Sequence, residues 1–207
     1  VQTDLTPADI TLIRYWTAFL AVSPLVVKYQ WKKFSIIQYL VVGLGVGFPY
    51  TLASFYGLME IHAAHAGVLV NGLLPVFGAA AAYVVFKQKI SGLRYLAIGV
   101  ILIANLAMAG GDLLALNHLF GILLLLLAAV VYTFHLTGIR LWQFSWKDVL
   151  VVIPTVNVIV FSPIWFLMPT TNFNVPVKEI VMQAGYQGII VNVIALSCVA
   201  YAIKHLG

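Results

Sequence analysis

A few polar side chains lie inside long apolar runs of this sequence, and their types and positions can support chemistry. His135 lies about one turn from Tyr132, where a histidine can exchange a proton near neutral pH or hold one hydrogen bond as a neutral core residue. Arg14 lies about one turn into the first apolar run. Its guanidinium can attract an anionic group, reach lipid headgroups, or pair with Asp9 or Glu60. The sequence leaves these alternatives open.

The segment 43–50 combines three alternating glycines, a proline and Tyr50 in the middle of one apolar run. Glycine and proline both weaken a helix, so this run is predicted to be interrupted midway. Interrupted helices near the middle of a membrane often mark transporter sites. Small residues also allow close helix packing, and the two interpretations have equal weight here.

Asparagines in the middle of apolar runs form a further group of candidates. Asn71 precedes Pro75 by four residues, so they share a helix face and the amide can satisfy backbone groups that the proline frees. Asn157 and Asn192 suit hydrogen bonds between helices. We predict that a substrate cavity is lined by Tyr50, Asn71, His135 and Asn192.

Catalytic and metal-binding patterns are missing from the sequence. His62 and His65 have only one nearby carboxylate, on Glu60, which is a poor set of metal ligands. The motifs G-x-S-x-G and H-E-x-x-H do not occur, and the single cysteine, Cys198, has no partner in the sequence pattern. We therefore predict no catalytic residue, no metal, no cofactor and no enzymatic activity.

The elements that must position these residues follow from composition. Hydrophobic residues make up 63% of the 207 residues and charged residues only 8%, whereas soluble domains carry about 25% charged residues. Such a chain cannot cover a water-exposed surface, and it is too apolar to be disordered. Its net charge of +5 is spread over short polar breaks, which argues against nucleic acid as a partner. The lipid bilayer is its predicted surrounding.

Seven apolar runs are long enough to cross a bilayer, which requires about 20 residues per helix. They are separated by short polar breaks, so we predict an all-α integral membrane protein with seven transmembrane helices. The runs cover residues 10–27, 35–58, 64–86, 92–109, 119–139, 149–168 and 187–204.

Charge placement predicts the orientation of these helices, because cytoplasmic loops are enriched in Lys and Arg. With residue 1 outside the cell, all basic residues except Arg14 and Lys178 fall at the cytoplasmic ends of the runs. The N-terminus of this segment is therefore predicted outside and its C-terminus in the cytoplasm. The five tryptophans lie near run ends and suit anchoring at the membrane interface.

An internal repeat is indicated by the first and sixth runs, which align without a gap. Asp9–Pro24 matches Asp148–Pro163 at its aspartate and at its final Ser-Pro step, and the two runs have opposite predicted orientation. This pattern is typical of inverted-repeat transporters. It predicts a first repeat over 1–111 that lacks its first helix and a second over 112–207 that lacks its last two. The whole protein is then expected to have ten helices in a 5+5 arrangement.

The stretches Pro7–Arg14, Ala53–Pro75 and Gly99–Asn105 resemble the EamA-like family of the drug/metabolite transporter superfamily. This resemblance implies a multi-pass carrier of the cell inner membrane that moves small metabolites, such as amino acids or related compounds, by alternating access. It implies an exporter or exchanger with a small-molecule substrate and leaves a homodimer open. The alternative is a seven-helix receptor or sensor, which shares the predicted helix count and orientation.

Overall fold

The computed structural model describes residues 3–61, 63–88, 91–109, 118–171 and 173–206. This part of the chain is built from helices and loops and contains no strand. The helical elements are α1 (Pro7–Lys28), α2 (Ile36–Gly45), α3 (Phe48–Glu60), α4 (Ala63–Val84), α5 (Gly92–Ala109), α6 (Leu119–Leu141), α7 (Trp146–Trp165), α8 (Val177–Gln183), a π-helical segment (Ala184–Ala195) and α9 (Leu196–Leu206).

Five helical stretches in the described residues are long and apolar enough to cross a membrane: α1, Ile36–Glu60, α6, α7 and Val177–Ile203. Helices α4 and α5 contain shorter apolar stretches. The predicted all-α membrane fold is confirmed. The ten-helix inverted repeat stays a prediction, since its boundary lies within residues 110–117, outside the described residues.

The last helical stretch differs from the predicted run, which began at residue 187. It begins at Val177. The predicted run did not include residues 177–186, because they contain Lys178 and Glu179 and are too polar to count as apolar sequence. A helix can begin in the headgroup region, where water still solvates such side chains. Hydropathy therefore detected only the part that lies in the apolar layer.

In the described part of the chain, three helices begin with a capping box, in which an N-cap hydroxyl and the third helical residue bond each other's backbone N–H groups. The pairs are Thr6 with Asp9 in α1, Ser35 with Gln38 in α2, and Ser145 with Asp148 in α7. Helices α1 and α7 thus start with the same device, a hydroxyl followed by an aspartate. The alignment of Asp9 with Asp148 corresponds to equivalent helix positions.

The described residues pack as two compact units. The first gathers the described parts of Val1–Phe48 and Phe134–Gly207, with α7 at its centre. Residues 151–158 of α7 are buried without a break, because α1, α2 and α9 pack around this helix. Helix α1 also packs along the π-helical segment.

The second unit, Pro49–Thr133, has its own apolar core. Ile61, Val70, Leu125 and Ala129 are buried together there. Gly57 and Gly121 let backbones approach closely in this unit, since a Cβ on Gly57 would lie 2.8 Å from Leu125.

Candidate functional site

The helix formed by α2 and α3 is interrupted at Val46 and Gly47, as the glycine-rich segment predicted. The backbone N–H of Gly47 bonds the carbonyl of Leu44 at 3.0 Å, so the regular helical pattern stops there. A Cβ on Gly47 would overlap the amide of Asn157. The interruption therefore leaves backbone groups of two helix ends inside the protein, where each needs a hydrogen-bond partner.

Asn157 of α7 supplies partners to both ends of the interruption. Its Nδ2 donates to the carbonyl of Gly43 at 2.8 Å, at the end of α2, and to the carbonyl of Ile153 at 2.8 Å. Its Oδ1 accepts from the backbone N–H of Phe48 at 2.7 Å, at the start of α3. The side chain is fully buried. The predicted role of Asn157 in joining helices is confirmed.

His135 and Tyr15 bind two further carbonyls at the interruption. The Nδ1 atom of His135 lies 2.7 Å from the carbonyl oxygen of Val42, and the ring is buried. Because a carbonyl only accepts, Nδ1 carries a proton. The hydroxyl of Tyr15 donates to the carbonyl of Val46 at 2.9 Å. Side chains of α1, α6 and α7 thus converge on one helix interruption within the first unit.

Arg14 lies inside the first unit and not at a lipid-facing position. It is 5% exposed, and its Nη1 donates to Oε1 of Gln187 at 3.3 Å. Its Nε is buried and has no hydrogen-bond partner among the described residues. Of the alternatives that the sequence left open for Arg14, pairing with Asp9 does not occur in the described residues, since that carboxylate bonds Thr6, Trp165 and Thr171. The guanidinium carbon also lies 5.6 Å from the centroid of the Tyr15 ring. Arg14 is therefore a buried charge held by a neutral amide and an aromatic ring.

Asn192 lies on the π-helical segment with Gln187 and is 3% exposed. In the described part of the chain, neither Nδ2 nor Oδ1 of Asn192 has a hydrogen-bond partner. π-Helical turns are rare and occur often at functional sites. In such a turn, residues five apart lie on successive turns, so Gln187 and Asn192 share a face.

The carboxylate of Asp9 ties the start of α1 to the end of α7. Trp165 Nε1 donates to its Oδ1 at 3.0 Å, and the backbone N–H and hydroxyl of Thr171 donate to Oδ2 at 2.9 and 2.8 Å. Trp165 is buried in this contact and stacks on Phe173. The prediction of an interfacial anchor is therefore wrong for this tryptophan, because its indole N–H is needed by a buried carboxylate.

Asp148 makes the corresponding connection at the other end of the pair. Lys33 Nζ donates to both carboxylate oxygens at 2.8 and 2.7 Å, and the hydroxyl of Tyr29 donates at 2.9 Å. Burial, followed by the contact with Asp148, raises the pKa of Tyr29 above its ordinary value, so the phenol stays protonated and donates. The segment just after α1 is thereby held to the start of α7.

The predicted cavity residues are distributed over both units. Tyr50 belongs to the second unit, where its ring lies 5.2 Å from that of Tyr132, measured between centroids. His135 and Asn192 belong to the first unit. The side chain of Asn71 lies outside the described residues, as do those of His62 and His65.

Sequence reasoning missed Tyr15 and Gln187 as functional candidates. Tyr15 lies next to Arg14 in an apolar run, where an aromatic residue gives no distinct signal. Gln187 is the first residue of a predicted run, where a polar side chain gives no distinct signal. A search for polar residues five apart, as in Gln187 and Asn192, would have found the pair only if the π-helical turn had been known.

The family model for the EamA-like transporter family matches residues 1–109, which is more than half of the chain and includes α1–α5. No curated protein matches the chain, and no solved structure matches it either. The long apolar helices, the interrupted helix and this match agree. The chain belongs to the EamA-like transporter family.

Proposed function

We propose that this membrane transporter of the drug/metabolite type moves small metabolites, such as amino acids or related compounds, by alternating access. The helix interruption between α2 and α3 is the observation that carries the proposal. In a membrane protein, each backbone group that a broken helix leaves without a hydrogen bond costs roughly several kcal/mol. Such a break is therefore stable only where other groups supply the missing hydrogen bonds. Asn157, His135 and Tyr15 hold it here. Transporters use such breaks to form central substrate sites.

The pairing of α1 with α7 supports an inverted repeat as the basis of this mechanism. Contacts of Asp9 with Trp165 and of Asp148 with Tyr29 make the two helices antiparallel. Each aspartate occupies the third position of its helix and binds residues at or beyond the end of the other helix. The same description of these contacts therefore holds when α1 and α7 are interchanged. A pseudo-two-fold axis in the membrane plane requires this equivalence.

The contacts of Asp9 and Asp148 favour different roles for different helices of the first unit. Helix α1 has 22 residues and is about 33 Å long, which is about the thickness of the apolar layer of a membrane, and Asp9 and Asp148 lie near its two ends. Because α1 and α7 are joined near both of their ends, this pair of helices is suited to act as a rigid scaffold. We propose that the two repeats carry the walls of the substrate path and that other helices move relative to this scaffold.

Asn192 has the strongest support among the four predicted cavity residues, because its buried amide has no partner in the described part of the chain. His135 binds the carbonyl of Val42, so its main contact stabilises the helix interruption. The assignments of Tyr50 and Asn71 to a substrate cavity stay predictions. The basic residues at alternate helix ends support an inner-membrane orientation with the N-terminus of this segment outside.

Counterflow uptake tests the proposed function. The full-length protein is placed in liposomes and assayed with labelled amino acids, nucleobases, sugars and small organic cations, with protein-free liposomes as the control. We expect saturable accumulation of one class. If folded and correctly inserted protein accumulates none of these compounds, the carrier proposal is contradicted and the seven-helix receptor becomes the better interpretation.

A further inference from the structure

We propose that Arg14 binds the carboxylate of the transported compound, with Gln187 positioning the guanidinium and Asn192 binding a second polar group. This inference rests on the proposed transport function and names the substrate class. The ligand is a small amino-acid-type metabolite that carries a carboxylate and a hydrogen-bonding group a few ångströms away. The site lies entirely within the first unit, between α1 and the π-helical segment.

The first argument concerns the charge of Arg14. The side chain is 95% buried in a protein that is itself surrounded by lipid, where a charge costs about 2.5–3.5 kcal/mol or more. No carboxylate pairs with Arg14 among the described residues. The nearest acid on α1, Asp9, is occupied by hydrogen bonds from Thr6, Trp165 and Thr171. An anionic group of a ligand would compensate this charge.

The second argument concerns the donors that remain on the guanidinium. Nη1 bonds Gln187, whereas Nε is buried and has no partner in the described part of the chain. A guanidinium presents its N–H groups in a planar fork that matches the two oxygens of a carboxylate. Gln187 orients the group by occupying one side of it. The edge that includes Nε is the part of the guanidinium that a carboxylate would bind.

The third argument is the position of a second unsatisfied side chain on the same face. Three contacts show that α1 and the last helical stretch run parallel: Thr3 with Glu179, Arg14 with Gln187, and Thr17 with Gly188. Asn192 follows Gln187 by five residues, which is about one turn of the π-helical segment. An amide offers both a donor and an acceptor. A carboxylate on Arg14 and an ammonium or hydroxyl group on Asn192 would satisfy both side chains.

Matched probes test this inference. Counterflow into liposomes containing the full-length protein is measured with the twenty labelled L-amino acids and with the same compounds as α-amides, which lack the carboxylate. We expect the protein to transport one or more amino acids and to discriminate against the corresponding amides by at least about tenfold in KM, the loss expected when one charged hydrogen-bonded contact is removed. Arg14→Gln should raise the KM for the acid by a similar factor. Lys28→Gln, which removes an exposed charge from the same helix, should leave the KM unchanged.

A second variant separates loss of binding from loss of folding. Gln187→Glu places a carboxylate next to Arg14 and should satisfy the buried guanidinium. We expect this variant to unfold at a higher temperature than the parent protein and yet to lose amino acid transport. A misfolded protein cannot give this combination. Lower thermal stability, or transport that persists in Gln187→Glu, would overturn the inference.

The remaining outcomes distinguish this inference from the proposed function. If the parent protein transports only compounds without a carboxylate, or acids and amides equally well, it is a carrier and the assignment of Arg14 is wrong. If Arg14→Gln is folded and its KM for an acid stays within about twofold, the assignment is also wrong. If no compound of the wider panel is transported, the proposed function fails, and this inference fails with it.

Discussion

The indole of Trp165 donates a hydrogen bond to the carboxylate of Asp9 at 3.0 Å, which joins the last residue of α7 to the first turn of α1. At the opposite end of the pair, Lys33 donates to Asp148 in the first turn of α7. Trp16 bonds Ser162 between these ends at 3.1 Å. Polar contacts thus join these two helices of one unit near both ends and at one point between them.

The contact of Asp148 with Lys33 predicts a loss of stability in Asp148→Asn. The substitution removes the ion pair and weakens the capping box, and we expect unfolding to become easier by about 1–3 kcal/mol. The lower part of this range is favoured because the side chain of Lys33 is 44% exposed. Unfolding in mixed detergent micelles, followed by circular dichroism, measures the change. Lys32→Gln, at the exposed neighbouring lysine, should have little effect, and an equal effect of both variants would contradict the prediction.

The hydrogen bonds of Asn157 predict that Asn157→Leu is strongly destabilising. Leucine has a similar branched shape but leaves the carbonyl of Gly43 and the N–H of Phe48 without their partner, at a cost of about 2–6 kcal/mol for the two groups. The free energy of unfolding is again the measured quantity. Asn174→Ala, at an exposed asparagine outside the helices, is the matched control. Similar stability of the two variants would show that the interruption does not depend on Asn157.

Two glycines of the π-helical segment predict opposite effects of the same substitution. A Cβ on Gly188 would lie 2.5 Å from Cβ of Thr17, whereas a Cβ on Gly185 would meet nothing within 4 Å. We expect Gly188→Ala to destabilise the protein by about 1–3 kcal/mol through overpacking. Gly185→Ala should be neutral or stabilise it by up to about 1 kcal/mol. Thermal unfolding of both variants tests this prediction. Destabilisation of equal size in the two variants would contradict the close approach of α1 to this segment.

The hydrogen bond of His135 predicts that its structural role can be separated from proton exchange. In His135→Asn, the amide Nδ2 can replace ring Nδ1 as the donor to the Val42 carbonyl, but the side chain no longer takes up a proton. We expect this variant to fold and to keep the pH dependence of the parent protein between about pH 5.5 and about pH 8, because burial keeps the ring of His135 neutral. His135→Ala should also lose the hydrogen bond and transport more slowly. A pH profile in His135→Asn that differs from that of the parent protein would contradict this prediction and show that His135 takes up a proton during transport.

Much of the fold was predictable because lipid imposes strict requirements on sequence. A helix must be apolar over about 20 residues to cross a bilayer, so each span is visible as a run. The glycines and proline of 43–50 predicted the interruption, because their backbone effects are local. The match of Asp9 with Asp148 was also local, since each belongs to the capping box of its own helix.

The sequence by itself determined the membrane class, the apolar part of each helix and the point of interruption, all of which depend on neighbouring residues. Only the tertiary structure decided which polar groups meet: His135 with Val42, Asn157 with Gly43, and Arg14 with Gln187. These partners are far apart in the chain. A membrane helix is apolar on the side facing lipid as well as on the side facing its neighbours, so hydropathy cannot identify the buried face. Packing places each polar side chain beside its partner, and this placement distinguishes a satisfied core amide such as Asn157 from an unsatisfied one such as Asn192.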